Sequence, residues 1–202
     1  AVVANPHLDW LSEYDTNIKA VDGSTGTGQH IGRGTVDTKD YVITPSITSK
    51  SLTDDNVQTE LAHQIDTHVL PAPDANTIYM IHFPLKTTID LGGARSCQTF
   101  CAYHSTLSKG GQSVYYSVLP FMGTGSGCEG GCGSATKDLD NQSSVSSHEL
   151  VEAITDGEIG LADQLQHRRR LAMEIAALVG GAHVSYALPL RIRLADDHID
   201  LP

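Results

Sequence analysis

The chain has 202 residues, of which 40% are hydrophobic and 18% charged, which suits one domain with a real core, or a domain with a small appendage, and argues against disorder. Its formal net charge of −11 repels nucleic acid and anionic membranes, so neither is an expected partner. No stretch approaches the ~20 apolar residues needed to span a bilayer, and AVVANPHLDW at the start lacks the basic and apolar regions of a signal peptide.

In chain order, NPHLDWLSEY (5–14) reads as a short helix with Leu8, Trp10 and Leu11 on its apolar side. STGTGQHIGRGTV (24–36) is Gly-rich and leads into an extended segment; it lacks the G-x-x-x-x-G-K of a phosphate loop. TKDYVITPS (38–46) predicts a strand. TDDNVQTELAHQIDTHVL (53–70) predicts a helix capped by Thr53, with Asp54 and Asp55 at its positive end and Val57, Leu61 and Ile65 on one face. PAPDAN (71–76) breaks it. TIYMIHFP (77–84) and SVYYSVLP (113–120) are dense β-branched and aromatic runs, expected as central strands. A Gly-rich loop from Gly123 to Gly133 precedes a helix over 144–156 that starts at a serine. LADQLQHRRRLAMEIAALVGG (161–181) predicts a further helix ending at Gly180-Gly181, and HVSYALPLRIRL (183–194) a final strand pair. This order suggests an α/β or α+β sandwich.

Composition changes near residue 160. Residues 1–160 hold 8 basic and 19 acidic side chains, the whole of the −11, whereas 161–202 hold 5 of each and no Thr, Asn, Lys, Phe or Cys. A domain boundary, a fusion or a shifted reading frame would each leave such a seam. We therefore divide the chain into a domain at 1–160 and a divergent tail at 161–202. The four cysteines form two C-x3-C pairs, Cys97/Cys101 and Cys128/Cys132. Four thiolates on a structural zinc and two disulfides both stand as readings. The Gly/Ser/Thr-rich, Lys-poor context favours disulfides and an exported protein, with the connectivity open.

The segment SSHELVEAITDG (146–157) carries the candidate chemistry. Positions i and i+4 share a helix face, so His148 and Glu152 can reach one cation. Their pattern resembles H-E-x-x-H with Glu152 in place of the second histidine. Glu149 then stands where such zinc hydrolases place the general base for metal-bound water. Asp156, four residues beyond Glu152, is the natural third ligand if the helix lasts that long. The bland reading is an acidic helix with a histidine near its start. His82 and His104 read as hydrogen-bonded core residues. Ser143, Ser144, Ser146 and Ser147 read as capping and loop residues, with no G-x-S-x-G elbow among them. Asp196, Asp197 and His198 read as a solvated turn, and HRRR as an exposed helix face.

Taken together, HLDWLSEYDT, IGRG, LPAPDANTIYMIHFP, SCQTFCAYHSTL, VYYSVLP, the GC…GCG loop and SSHELVEAITD resemble the secreted EXORDIUM and phosphate-induced proteins, in their microbial and fungal branch. The resemblance covers roughly residues 5–160 in order. It implies an extracellular location, disulfides at the cysteine pairs, and a zincin-like three-layer sandwich with a mixed sheet and an active-site helix at 144–156. On that reading the chain is a zinc-dependent, peptidase-like hydrolase acting on peptide or cell-wall substrates, with His148, Glu152 and Asp156 as metal ligands and Glu149 as base. The alternatives are a non-catalytic protein of the cell wall or surface, and a truncated, inactive homologue. Gly157 replaces the family's proline, and similarity ends near Ile159, beside the seam in composition.

Overall fold

The computed structural model describes residues 2–15, 28–37, 41–157 and 192–194. Its architecture is mixed α/β, with two small mixed sheets. The predicted helix at 161–181, the turn at 196–198 and all of the predicted strand pair at 183–194 but residues 192–194 lie outside the described residues. Near the start, 3-10 helices cover Val2–Ala4 and Pro6–Tyr14, the second capped by the Asn5 side chain accepting from the His7 amide.

The larger sheet runs β1 (Tyr41–Ile43), β8 (Ile192–Leu194), β3 (Ile78–His82), β7 (Gln112–Leu119), β6 (Tyr103–Lys109). All neighbours are parallel except β6 and β7, which form an antiparallel hairpin. The hairpin turns through Gly110 and Gly111, both at positive φ, as a two-residue turn matched to strand twist requires. The smaller sheet pairs β2 (Ser51–Thr53) with β4 (Thr88–Leu91), and β4 with β5 (Ala94–Arg95).

Strand alternation sorts side chains into two cores. Tyr79 and Ile81 of β3 and Val114, Tyr116 and Val118 of β7 join Val57, Leu61 and Ile65 of helix α1 (Asp54–Asp66). Met80 of β3 and Leu119 of β7 face the other way and meet Leu150 of helix α2 (Asp138–Thr155). The two helices therefore cover opposite faces of the sheet.

α1 is built as the sequence suggests, with Thr53 and Asn56 exchanging capping hydrogen bonds. It stops at Asp66 rather than 70. His68 takes φ +59°, and the Val69 and Leu70 amides turn back to the Gln64 carbonyl.

α2 departs further from expectation, beginning at Asp138 and not at 144. No serine caps it. Its early side chains instead hold the preceding Gly-rich loop. Asp138 accepts from the Thr124 amide, Gln142 from the Met122 amide, and Asn141 bonds both the N–H and the C=O of Ala135. Ser143 and Ser146 are buried inside the helix, and Ser146 Oγ donates back to the Gln142 carbonyl.

Two disulfides, Cys97–Cys128 and Cys101–Cys132, staple that loop to the segment entering β6. The bridges run across the two C-x3-C pairs, and no described cysteine is free for zinc. Together they tie the approach to β6 to the approach to α2. No helix among the described residues is long and apolar enough to cross a membrane.

Candidate metal centre

β6 and α2 meet at His104. Alternation along β6 turns His104 and Thr106 toward α2, while Tyr103 and Leu107 pack into the α1 core. On α2, the i to i+3 step from Glu149 to Glu152 keeps both carboxylates near one face. His104 Nδ1 lies 3.4 Å from Glu149 Oε2 and 3.4 Å from Glu152 Oε2. Ligand atoms of these three residues all fall within 4.8 Å of one another. His104 and Glu149 are buried, and Glu152 is half-buried at the edge.

The other imidazole nitrogen is committed elsewhere. His104 Nε2 lies 3.2 Å from the Asp156 carbonyl, and Thr106 Oγ1 donates to the Gly157 carbonyl. These two side chains fix the exit of α2 onto β6. A carbonyl on Nε2 requires a proton there, so whenever the ring is neutral its lone pair sits on Nδ1, the atom facing the carboxylates. This is the outer hydrogen bond that orients most metal-bound histidines.

Of the residues singled out from sequence, Glu149 and Glu152 converge on His104. His148 stands further out, more than half exposed, with Nε2 3.0 Å from Glu152 Oε1. Asp156 comes just after the helix, at φ −141° and ψ 58°, so helical arithmetic no longer places its side chain. Its carbonyl, not its carboxylate, makes the contact to His104. His82 is hydrogen-bonded as expected, with Nδ1 3.3 Å from Gln142 Nε2, but it is half-buried at the end of β3 rather than in the core.

His104 is the hydrogen-bonded core residue that the sequence predicts, but the sequence reading did not bring it to Glu149 and Glu152. The signal for it was the Gly110-Gly111 turn. Once that turn joins YHSTLSK to QSVYYSVL, the hairpin register sets His104 opposite Ser117 on the helix-facing side.

Charge accumulates at the cluster. Burial works against a charged His104 ring, but hydrogen bonding to Glu149 and Glu152 outweighs it and raises the ring to about 9. His104 and His148 together pull Glu152 down to about 2. Glu152 also raises His148 above its ordinary value. Without a cation, the cluster is therefore a protonated imidazole held between carboxylates and a carbonyl.

Two cavities lie elsewhere. One is a small apolar gap between α1 and the sheets, beside Leu52, Leu61 and Ile81. The other, of about 950 Å³, is lined by Leu150 and Ile154 of α2, Tyr79 and Met80 of β3 and the 29–37 segment. Neither is lined by His104, Glu149 or Glu152. No protein-family profile, curated protein or solved structure matches this chain.

Proposed function

We propose that His104, Glu149 and Glu152 hold a divalent cation, zinc by donor chemistry, and that the chain is a secreted metal-dependent hydrolase of peptidase-like type. One observation carries the reading. Two donor atoms each ~2.1 Å from a tetrahedral ion lie about 3.4 Å apart. That is the separation of His104 Nδ1 from each carboxylate, and it is longer than the ~2.8 Å of a tight charge-assisted hydrogen bond. Two orphaned polar atoms add support. Ser117 Oγ and Asp156 Oδ1 are buried without hydrogen-bond partners, on the residues that flank His104 across the strand and across the helix exit.

On this reading Glu149 is the inner ligand rather than the base. His148 takes the outer role: it hydrogen-bonds Glu152 from the solvent side and is placed to carry a proton in or out. A bound cation supplies Lewis acidity and an acidic water. The disulfides support an oxidising, extracellular setting. The mixed sheet with a helix carrying H-E-x-x-E is also what a zincin-like sandwich would offer. A second reading, an ion that serves structure in a non-catalytic surface protein, draws on the burial of His104 and Glu149.

Elemental analysis of chelator-free protein, before and after zinc titration, tests both. Wild type is expected to bind one equivalent. His104→Ala is expected to lose it, whereas His148→Ala keeps stoichiometry with affinity about 10-fold to 100-fold weaker. No zinc in the wild type would end the proposal. Unchanged binding in His104→Ala with loss in His148→Ala would instead favour the ligand set His148, Glu152 and Asp156. Stoichiometric zinc without hydrolysis of any peptide library would leave the structural ion.

A further inference from the structure

Ser117 is fully buried, and its hydroxyl has no hydrogen-bond partner. A hydroxyl there is unfavourable unless something uses it, because an unpaired buried donor loses its hydration for nothing. Alanine would fill nearly the same space without that loss. The question is what the oxygen is for.

Its position supplies the answer. Ser117 lies directly opposite His104 in the β6–β7 hairpin, and side chains so paired stand side by side on one face. That face is the one covered by α2. Along β7, Ser117 is bracketed by two residues on the same face. Leu119 packs with Leu150, and Tyr115 lies against Gly157. Ser117 is therefore under the stretch of α2 that carries Glu149, Glu152 and the helix exit.

Resting on the metal reading above, we propose that Ser117 is a positioning residue of that centre. Its hydroxyl acquires a partner among the oxygen atoms around a divalent cation held by His104, Glu149 and Glu152. In the metal-free protein it waits unpaired. Metal centres commonly rely on such outer hydrogen bonds, and their loss costs about 10-fold to 100-fold in affinity.

A consequence separates this role from a packing role. Ser117→Ala removes an orphan from the metal-free protein, so its melting temperature with chelator present should stay the same or rise. Zinc affinity should fall about 10-fold or more. The absorption of bound cobalt(II) should shift, because the geometry around the ion is no longer braced. Ser117→Thr keeps the hydroxyl and should bind zinc more tightly than Ser117→Ala.

The full chain is titrated with zinc, and separately with cobalt(II), in wild type and both variants. Equal affinities and equal cobalt spectra in wild type and Ser117→Ala overturn the inference while the metal centre stands. A parallel fall of metal-free melting temperature and of affinity in Ser117→Ala assigns the residue to packing and also overturns it. If Ser117→Ala does not fold, packing is again the role. If wild type itself binds neither ion, the metal centre fails and this role fails with it.

Discussion

At the scale of single residues, Glu60 shows how a carboxylate is kept inside an apolar interface. It is buried on α1 among the residues that pack against the sheets. Its Oε2 accepts from the amides of Ser46 and Ile47 and from Ser46 Oγ at 2.5 Å, and its Oε1 accepts from Gln64. Burial alone would raise its pKa, but these donors, led by Ser46 and Gln64, bring it below the ordinary value. The sign follows from linkage. A carboxylate held lower in the folded state stabilises the fold above its unfolded pKa, near 4.3, and that contribution is lost as pH falls through the folded value. Glu60→Gln is expected to destabilise by roughly 1–3 kcal/mol at neutral pH, since one of its amide hydrogens must face a donor. Urea unfolding at pH 7 and at pH 3 checks this: the gap between wild type and variant should narrow in acid. A gap that does not change with pH would show that the charge contributes nothing. Only Gln64, one turn along the same helix, is a local donor to Glu60; the Ser46 and Ile47 donors come from a loop that only the tertiary fold brings to it. His104 was legible as a hydrogen-bonded core residue, but its partner Glu149 was not, because it lies 45 residues away on another element.

At the scale of elements, the helix α1 and the strands β3 and β7 were legible because each carries its own period and punctuation. The start of α2 was not. The serines before His148 look like caps, yet Asp138, Asn141 and Gln142 draw the helix back by bonding the loop from Met122 to Ala135. That loop is held from both ends, by the disulfides to Cys97 and Cys101 and by the first turns of α2. Two of its glycines make a controlled comparison. A Cβ at Gly133 would overlap the Asn141 side chain, which already holds Ala135 on both sides. A Cβ at Gly130 meets nothing within 4 Å, and its φ is not positive. Gly133→Ala should therefore cost roughly 1–3 kcal/mol through forced repacking, and Gly130→Ala should fall within about 0.5 kcal/mol of wild type. Thermal melts of the two variants test it. Equal melting temperatures would mean that the loop is not braced by Asn141. Because the same turns lead into Glu149 and Glu152, a loosened loop should also weaken zinc binding in Gly133→Ala alone.

At the scale of the whole molecule, the sequence marks a change of character near residue 160, and the structure adds a connection across it. Ile192–Leu194 forms β8, which pairs in parallel with Tyr41–Ile43 on one side and with Ile81 and His82 on the other. This strand falls within HVSYALPLRIRL (183–194), where the sequence predicts a final strand pair; what the sequence does not show is its partners. Its place is chosen by the backbone groups that β1 and β3 leave unpaired, and those are set far earlier in the chain. The arrangement has a mechanical consequence. Without β8, β1 loses its one sheet neighbour among the described residues, and β3 presents an open edge next to the strand that positions the hairpin of His104 and Ser117. Open parallel edges expose unpaired N–H and C=O groups and invite association between molecules. A chain ending at residue 160 is thus expected to exchange its amides faster over 41–43 and 81–82 than the 202-residue chain, and to aggregate more readily. Hydrogen exchange read by mass spectrometry resolves these segments. The β6–β7 hairpin supplies the internal reference, since its pairing does not involve β8 and its protection should change least. Indistinguishable exchange at 41–43 in the two chains would show that β8 adds nothing to the sheet, and the seam in composition would then also be a seam in the fold.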